Sequence, residues 1–310
     1  MKRTWIFGLA LAVVLMAVGL PVAAKNYSEW SAPVNLGAVV NSAAMDSCPS
    51  VTKDGLSLYF MSNRPGGFGS FDIYVSQRSS VDDAWGAPQN LGSAINTVDN
   101  ERCPYVTPDG HYLIFVSVRP LAAVNGDFYV SYRRDKKDDF GWEPPDRITA
   151  VNAPADEYAM SGFEEEGTGI LSLYFSSGPR PWVGGQDIYT TTMTEDGVFS
   201  PPVPVSELSS DADDVFPTVS KDGLEMFLTS NRLGSVGAGP DLWKATRENT
   251  SDPWSTPLNL GPLVNSSSPE GRAALSRDGS TIIFRSDRPG GYGSGDLYQI
   301  TRSKVTGSGK

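Results

Sequence analysis

The sequence is poor in the residues that build metal and redox centres. It holds two cysteines, Cys48 and Cys103, and one histidine, His111. A structural zinc site takes four ligands, nearly always from Cys and His side chains, and a redox motif of the Cys-x-x-Cys type needs its cysteines three positions apart. The composition therefore excludes a Cys/His zinc cluster and a Cys-x-x-Cys centre.

Long apolar runs are also scarce, and the longest lies at the amino terminus. Lys2 and Arg3 precede an apolar run over residues 5–20, and Val22-Ala23-Ala24 supplies the small residues that signal peptidase accepts. The run is shorter than the roughly 20 residues that cross a bilayer. We therefore predict a signal peptide over residues 1–24, no membrane span after its cleavage, and a periplasmic or secreted protein.

Basic residues are outnumbered by acidic ones, 25 against 36, for a formal net charge of −11. Loss of the predicted signal peptide would remove Lys2 and Arg3 and bring the charge to −13. An acidic surface repels phosphate backbones, which excludes nucleic acid as a partner. Cations, basic proteins and neutral polymers stay open as ligands.

The main feature that the sequence does contain is an internal repeat of about 55 residues. An aromatic residue opens each unit, at intervals of 55, 57, 57 and 55 residues: Trp30, Trp85, Trp142, Phe199 and Trp254. Each unit then has one strand that ends in Asp-Gly or Glu-Gly, followed by an alternating apolar strand. Glycine after an acid between two strands predicts a tight hairpin, and four strands per unit are typical of a propeller blade.

We label the strands of a unit A (ending in Asp-Gly), B (ending in Ser and then Arg), C (opening with Asp) and D (opening with the repeated aromatic). The first element is a D strand at 30–37 and the last is a C strand at 296–302. The amino-terminal D strand must therefore complete the last blade, which hides two sheet edges. We predict an all-β, five-bladed β-propeller of four-stranded antiparallel blades over residues 25–302, a disordered tail at 303–310, and a monomer.

Three charged positions recur in every unit. The acids that open strand A are Asp46, Glu101, Glu157, Asp214 and Glu270. The arginines that follow strand B are Arg64, Arg119, Arg180, Arg232 and Arg288, and the aspartates that open strand C are Asp72, Asp127, Asp187, Asp241 and Asp296. The D–A and B–C loops of a propeller lie on one face, called here the DA/BC face, so all three sets are predicted to lie there.

The recurring acids allow two interpretations. Because A strands are innermost, the acids would ring one mouth of the central channel, where they could bind a cation such as calcium or a basic ligand. Alternatively, each acid pairs with the arginine of strand B, and the aspartate of strand C is a second partner. A motif present in every blade builds the blade, so we favour the structural interpretation and predict no cofactor.

Departures from the repeat indicate where a ligand would bind. The third unit carries Trp182 in its B–C loop, and the first and fifth units carry Phe68 and Tyr292 in theirs. Aromatic rings on one face would bind a sugar or a protein with little loss of entropy. The alternative is that these rings pack between blades.

The two cysteines occupy the same position in consecutive units, each just before a proline. The other units hold Ala159, Phe216 and Arg272 there. In an exported protein, this placement of Cys48 and Cys103 predicts a disulfide between blades one and two, provided that their Cα atoms lie within about 7 Å. The alternative is a pair of buried thiols.

The repeat resembles the WD-like propeller repeats of the TolB family of periplasmic proteins. The matching segments are Pro-Ser-Val-Thr-Lys-Asp-Gly at 49–55, Ser-Asn-Arg-Pro-Gly-Gly at 62–67 and Asp-Ile-Tyr-Val at 72–75. The resemblance covers residues 30–302. It implies a propeller rather than an activity, because one fold supports many functions.

Two functions fit these features. The first is an exported binding or scaffolding propeller that engages a protein or glycan ligand through the DA/BC face. The second is a carboxylate-dependent glycoside hydrolase, since five-bladed propellers also carry such enzymes, with two carboxylates about 5 to 9.5 Å apart. His111 follows an A–B turn on the opposite face, which argues against a Ser-His-Asp triad at the channel mouth. No acid stands apart from its equivalents, so we favour binding.

Overall fold

The computed structural model describes residues 27–120, 126–152, 155–178 and 185–305, which form twenty β-strands and no helix. The strands form five four-stranded antiparallel sheets, one per blade.

The first blade holds β2 (Asp46–Val51), β3 (Ser57–Ser62), β4 (Asp72–Gln77) and β5 (Gln89–Asn90). The second holds β6 (Glu101–Val106), β7 (Tyr112–Ser117), β8 (Asp127–Tyr132) and β9 (Asp146–Arg147). The third holds β10 (Asp156–Glu164), β11 (Leu171–Gly178), β12 (Asp187–Met193) and β13 (Val203–Pro204). The fourth holds β14 (Asp214–Val219), β15 (Glu225–Ser230), β16 (Asp241–Thr246) and β17 (Leu258–Asn259). The fifth holds β18 (Glu270–Leu275), β19 (Thr281–Ser286), β20 (Asp296–Thr301) and β1 (Val34–Asn35).

This arrangement confirms the predicted five-bladed propeller. The A strands β2, β6, β10, β14 and β18 contact one another in cyclic order and so surround a central channel. The amino-terminal strand closes the ring, because Val34 pairs with Gln299 and Asn35 pairs with Tyr298 of β20. Within the described ranges, no helix is long and apolar enough to cross a membrane.

The ordered chain extends past its predicted end at residue 302. The Ser28 N–H donates to the carbonyl of Ser303 at 2.8 Å, and Lys304 pairs with Tyr27. The amino-terminal segment thus runs beside the last residues and supplies partners that a free tail would lack. The predicted signal peptide (1–24) and residues 306–310 lie outside the described residues.

An arginine packs on the tryptophan that opens four of the units. The guanidinium carbon of Arg78 lies 4.1 Å from the ring centroid of Trp85, and its Nε donates to the carbonyl of Gly55 at 2.8 Å. The equivalent pairs are Arg133–Trp142, Arg247–Trp254 and Arg302–Trp30. Each arginine thus joins the A–B turn to the start of strand D, which explains why the aromatic recurs.

Candidate ligand-binding site at the channel mouth

The recurring acids lie inside the blades, and none of the five is more than 1% exposed. Asp46 accepts hydrogen bonds from Nη2 of Arg64 and from the N–H of Ser42, both at 2.6 Å. The same arginine–acid pair forms in three other blades: Arg119–Glu101, Arg232–Asp214 and Arg288–Glu270. Among the described residues, no group of three or more His, Cys, Asp or Glu side chains could hold a metal ion. The acids of these four blades therefore neutralise arginines within the blades, as the structural interpretation expects. The predicted partner of Glu157, Arg180, lies outside the described residues, and a cation or basic ligand at the acids stays an untested alternative.

In the first and fifth blades the aspartate of strand C binds loop backbone rather than the arginine that follows strand B, whereas Asp127 of the second blade pairs with Arg147 of strand D. Asp72 accepts hydrogen bonds from the N–H groups of Phe68 and Gly69, at 2.6 and 3.0 Å. It also accepts one from the Asn90 amide of strand D at 2.8 Å. Asp296 makes the same three contacts in the fifth blade. These aspartates fix the B–C loop, and the arginine is already bound by the acid of strand A.

Strand A of every blade contains a β-bulge at the position of the cysteines. The bulged residues have φ angles between 32° and 56°, in the left-handed region: Cys48, Cys103, Ala159, Phe216 and Arg272. A bulge re-aims a side chain, and these five side chains, which come from different blades, approach one another at the channel axis. Sequence comparison identifies this position as equivalent in all units, but it carries no signal that the position faces the channel.

A cavity of about 110 Å³ opens among these side chains. Its apolar lining is Met45, Met61, Phe71, Cys103, Val116 and Phe216, and its polar lining is Arg102, Tyr158 and Arg272. Met45, Phe71 and the three polar residues are partly exposed. All lie near the ends of strands that adjoin D–A or B–C loops, so the cavity opens at the DA/BC face.

Arg272 brings a positive charge into this largely apolar lining. Its guanidinium carbon lies 4.6 Å from the ring centroid of Phe216, and its Nη1 donates to the Ser47 hydroxyl at 3.2 Å. Within the described chain it forms no salt bridge. Burial, together with repulsion from Arg285 and Arg102, lowers the pKa of Arg272 to about 10. The side chain therefore stays charged at neutral pH, at a cost that its surroundings only partly offset.

Arg102 and Tyr158 form the rest of the polar lining. Burial lowers the pKa of Arg102, while Tyr158 and Asp156 oppose that shift. Burial raises the pKa of Tyr158, so its hydroxyl stays protonated at neutral pH and can donate a hydrogen bond. The Tyr158 ring meets the Phe216 ring edge to face, with centroids 6.1 Å apart.

A charge pair stands beside Arg272 in the fifth blade. Nη2 of Arg285 lies 2.6 Å from Oδ2 of Asp287, and the two side chains are 17% and 23% exposed. Burial raises the pKa of Asp287, and Arg285 and Arg272 oppose that rise. Arg102 and Arg272 are the charged residues of the cavity lining, and Asp156, Arg285 and Asp287 interact with them electrostatically from outside it.

Two aromatic rings stand on the same face. Phe68 and Tyr292 are 49% and 52% exposed, at equivalent positions in the B–C loops of neighbouring blades. Asp72 and Asp296 hold these loops through backbone N–H groups. A Cβ atom on Gly69 would come within 1.9 Å of the Asp99 carbonyl, so the loop packs directly on the next D–A loop. The rings are thus presented to solvent from loops of fixed conformation.

Cys48 and Cys103 form a disulfide between the A strands of the first two blades, with Cα atoms 4.8 Å apart. Both residues are buried, and Cys103 contributes to the cavity lining. The bulges bring the two Cα atoms this close, because both side chains turn toward the axis.

Trp182 and Arg180, predicted in the third B–C loop, lie outside the described residues, so their roles stay predictions.

No family model matches the sequence, and no curated protein matches it. Many solved structures do match. An α-L-arabinofuranosidase from Lactobacillus brevis matches with a TM-score of 0.60 at 14% identity, over 89% of this chain and 96% of that one. A GH43_1 enzyme from Xanthomonas citri matches with a TM-score of 0.57 at 13% identity, over 90% and 91%. TolB from Acinetobacter baumannii gives a TM-score of 0.48 at 17% identity, over 86% of this chain and 56% of that one. The likenesses to the arabinofuranosidase and the GH43_1 enzyme show the propeller fold alone, and membership of the TolB family stays a prediction.

Proposed function

We propose that this chain is an exported binding propeller that engages a protein or glycan ligand through its DA/BC face. The observation that carries the proposal is the pair of exposed rings, Phe68 and Tyr292, on loops held by buried aspartates. A ring on a loop of fixed conformation offers apolar contact area while losing little entropy on binding.

The distribution of constant and variable positions supports the same face. The charged residues that recur in each blade are used inside the blade, as the Arg64–Asp46 pair illustrates. The positions that differ between blades supply the channel mouth, with Arg272 and Phe216 at equivalent places. Variation at the channel mouth leaves the blade contacts intact, so this surface is free to be specialised for a ligand.

The test compares two faces of one protein. The wild-type chain is applied to a glycan array and, in parallel, is used to capture proteins from periplasmic extract. The variant Phe68→Ala/Tyr292→Ala removes the exposed rings, and Phe140→Ala, which removes a ring 42% exposed in a C–D loop of the opposite face, is the matched control. We expect the control to retain whatever the wild type binds and the double variant to bind it at least tenfold more weakly. Equal binding by the double variant would contradict the proposal, and the arm that gives the specific hit distinguishes a glycan from a protein.

A carboxylate-dependent glycoside hydrolase is the second candidate, and Asp287 is the observation that favours it. This carboxyl group is partly exposed at the channel mouth, and burial raises its pKa, as is typical of a general acid. A family-43 glycoside hydrolase shares the fold, with a TM-score of 0.55 at 14% identity. Aryl arabinosides, xylosides and galactosides are suitable substrates for the test. Release of the aryl group by the wild type but not by Asp287→Asn would favour this candidate over binding alone.

A further inference from the structure

Arg272 differs from the arginines that build the blades. Arg64, for example, is paired with a buried carboxylate, whereas Arg272 forms no salt bridge within the described chain. It also occupies a position at which the other blades hold cysteine, alanine or phenylalanine. A charge in partly apolar surroundings is costly unless a counter-charge meets it. The chain keeps this cost at a position of the blade that faces the channel.

We propose that the cavity at the channel mouth binds a carboxylate group carried on a short apolar chain, with Arg272 as its cationic partner. This inference deepens the proposed function, since the cavity opens on the DA/BC face. The Phe216 ring and the Ser47 hydroxyl hold the guanidinium plane. A guanidinium fixed in this way presents paired N–H donors that match the two oxygens of a carboxylate.

The charge around the cavity favours a single negative charge on the ligand. Arg285 is paired with Asp287, and Asp156 acts electrostatically on Arg102, whereas Arg272 has no salt bridge within the described chain. A phosphate dianion would bring two negative charges against this one unpaired positive charge. A monocarboxylate carries a single negative charge, which balances the positive charge of Arg272.

The size and lining of the cavity favour a short apolar chain behind the carboxylate. Its volume of about 110 Å³ is somewhat smaller than the roughly 150 Å³ cavity that holds benzene. Met45, Met61 and Phe71 offer apolar contacts near the arginine. A free organic acid and the carboxylate of a peptide terminus share this chemistry, so the experiment includes both.

The test measures stabilisation by two probes of known chemistry. Thermal unfolding of the purified chain is followed against sodium propionate and against a short alanine peptide with a free carboxyl terminus, at ionic strength held constant with chloride. The carboxy-amidated peptide is the matched control ligand. Because a ligand that binds only the folded state raises the unfolding temperature, we expect a saturable rise with propionate, with the free-acid peptide, or with both, and none with the amide. The probe that acts identifies the source of the carboxylate.

Substitutions assign the effect to Arg272. Arg272→Gln should bind the active probe at least tenfold more weakly, and it should fold, because it removes a charge without a salt bridge. Arg277→Gln removes the same charge at the opposite channel mouth and should bind as the wild type does. Arg272→Lys keeps the charge but loses the planar guanidinium group, so it should also bind the probe more weakly than the wild type does. This variant provides the test if Arg272→Gln fails to fold.

Three outcomes would overturn the inference: no response of the wild type to either carboxylate, an equal response to the amide, or an unchanged response in the Arg272 variants. Each would leave binding through Phe68 and Tyr292 standing. The proposed function would instead be contradicted if the Phe68→Ala/Tyr292→Ala variant bound the ligand recovered from the array or the extract as tightly as the wild type does. The two failures are therefore distinguishable.

Discussion

Arg272 and Phe216 occupy the same place in adjacent blades, and the guanidinium of the first lies 4.6 Å from the ring centroid of the second. Their φ angles of 56° and 53° show that one bulge geometry turns both side chains toward the channel. The same geometry brings Cys48 and Cys103 together. Residue identity at this position of each blade therefore contributes to the chemistry of the channel mouth, together with neighbours such as Arg102 and Tyr158.

The first prediction concerns the disulfide. We expect intact mass spectrometry of the purified chain, alkylated under denaturing conditions, to show no added alkyl group without reductant and two after reduction. The bridge closes a loop across 55 positions of sequence and would stabilise the fold by about 4 kcal/mol in the chain-entropy model. Two alkyl groups added without reductant would mean that Cys48 and Cys103 are free thiols.

The second prediction concerns the acids buried within the blades. Arg64→Met leaves the carboxylate of Asp46 buried without its cation. We expect the free energy of unfolding in urea to fall by about 3–5 kcal/mol. Arg277→Met at the opposite mouth should cost less than about 1 kcal/mol, because a partly exposed arginine without a buried partner contributes little. A small loss for Arg64→Met would return Asp46 to the set of candidate ligand contacts.

The third prediction concerns pH. Asp139 accepts hydrogen bonds from Ser57, Tyr59 and Arg133 at 2.5, 2.6 and 2.7 Å. Burial alone would raise the pKa of this carboxyl group, but the hydrogen bonds outweigh burial and lower it. A lowered folded-state pKa adds stability that is present above the unfolded-state value, near 3.9, and is lost as the pH falls through the folded-state pKa.

Asp139→Asn tests this relationship, with Asp138→Asn on the exposed neighbouring residue as control. The Asp139 variant should lose about 3 kcal/mol at pH 7, and the gap to wild type should narrow below about pH 4. The Asp138 variant should follow the wild type at each pH. A gap that stays constant as the pH falls would show that the Asp139 charge does not contribute.

The fourth prediction concerns closure of the ring. Deletion of residues 25–38 removes β1 and exposes the edge of β20. It also removes Trp30, whose ring packs on Arg302 and meets Phe227 at 6.0 Å. We expect loss of cooperative unfolding and aggregation, because an exposed sheet edge pairs with other chains. A truncated chain that melts at the parent temperature would contradict closure by the amino-terminal strand.

The fold was predictable because each structural signal occurs five times. The recurring aromatic and the Asp that opens strand C fixed the phase of every blade, so a single irregular unit did not shift the count. Because the first element is a D strand, it must pair with the last C strand, and β1 does pair with β20. Because each signal is repeated, a strand that is ambiguous in one unit can be assigned from its equivalents in the other units.

The candidate site was less predictable, because its residues meet only in three dimensions. Sequence spacing placed Asp46, Arg64 and Asp72 near one another, but it did not show which acid binds the arginine. Nor did it show that the bulged residue, rather than the acid two positions earlier, faces the channel. In the sequence Arg272 is therefore only the residue that the fifth unit holds at the cysteine position, whereas in the structure it lines the cavity.

The central claim, that ligand binds on the DA/BC face, is tested most directly by hydrogen–deuterium exchange of the wild-type chain. Exchange is measured with and without the glycan or protein recovered by the wild type. We predict slower exchange in the B–C loops at 63–71 and 287–295, and unchanged exchange in the C–D loop at 133–145 of the opposite face. Protection of residues 133–145 with no change in the two B–C loops would contradict the account.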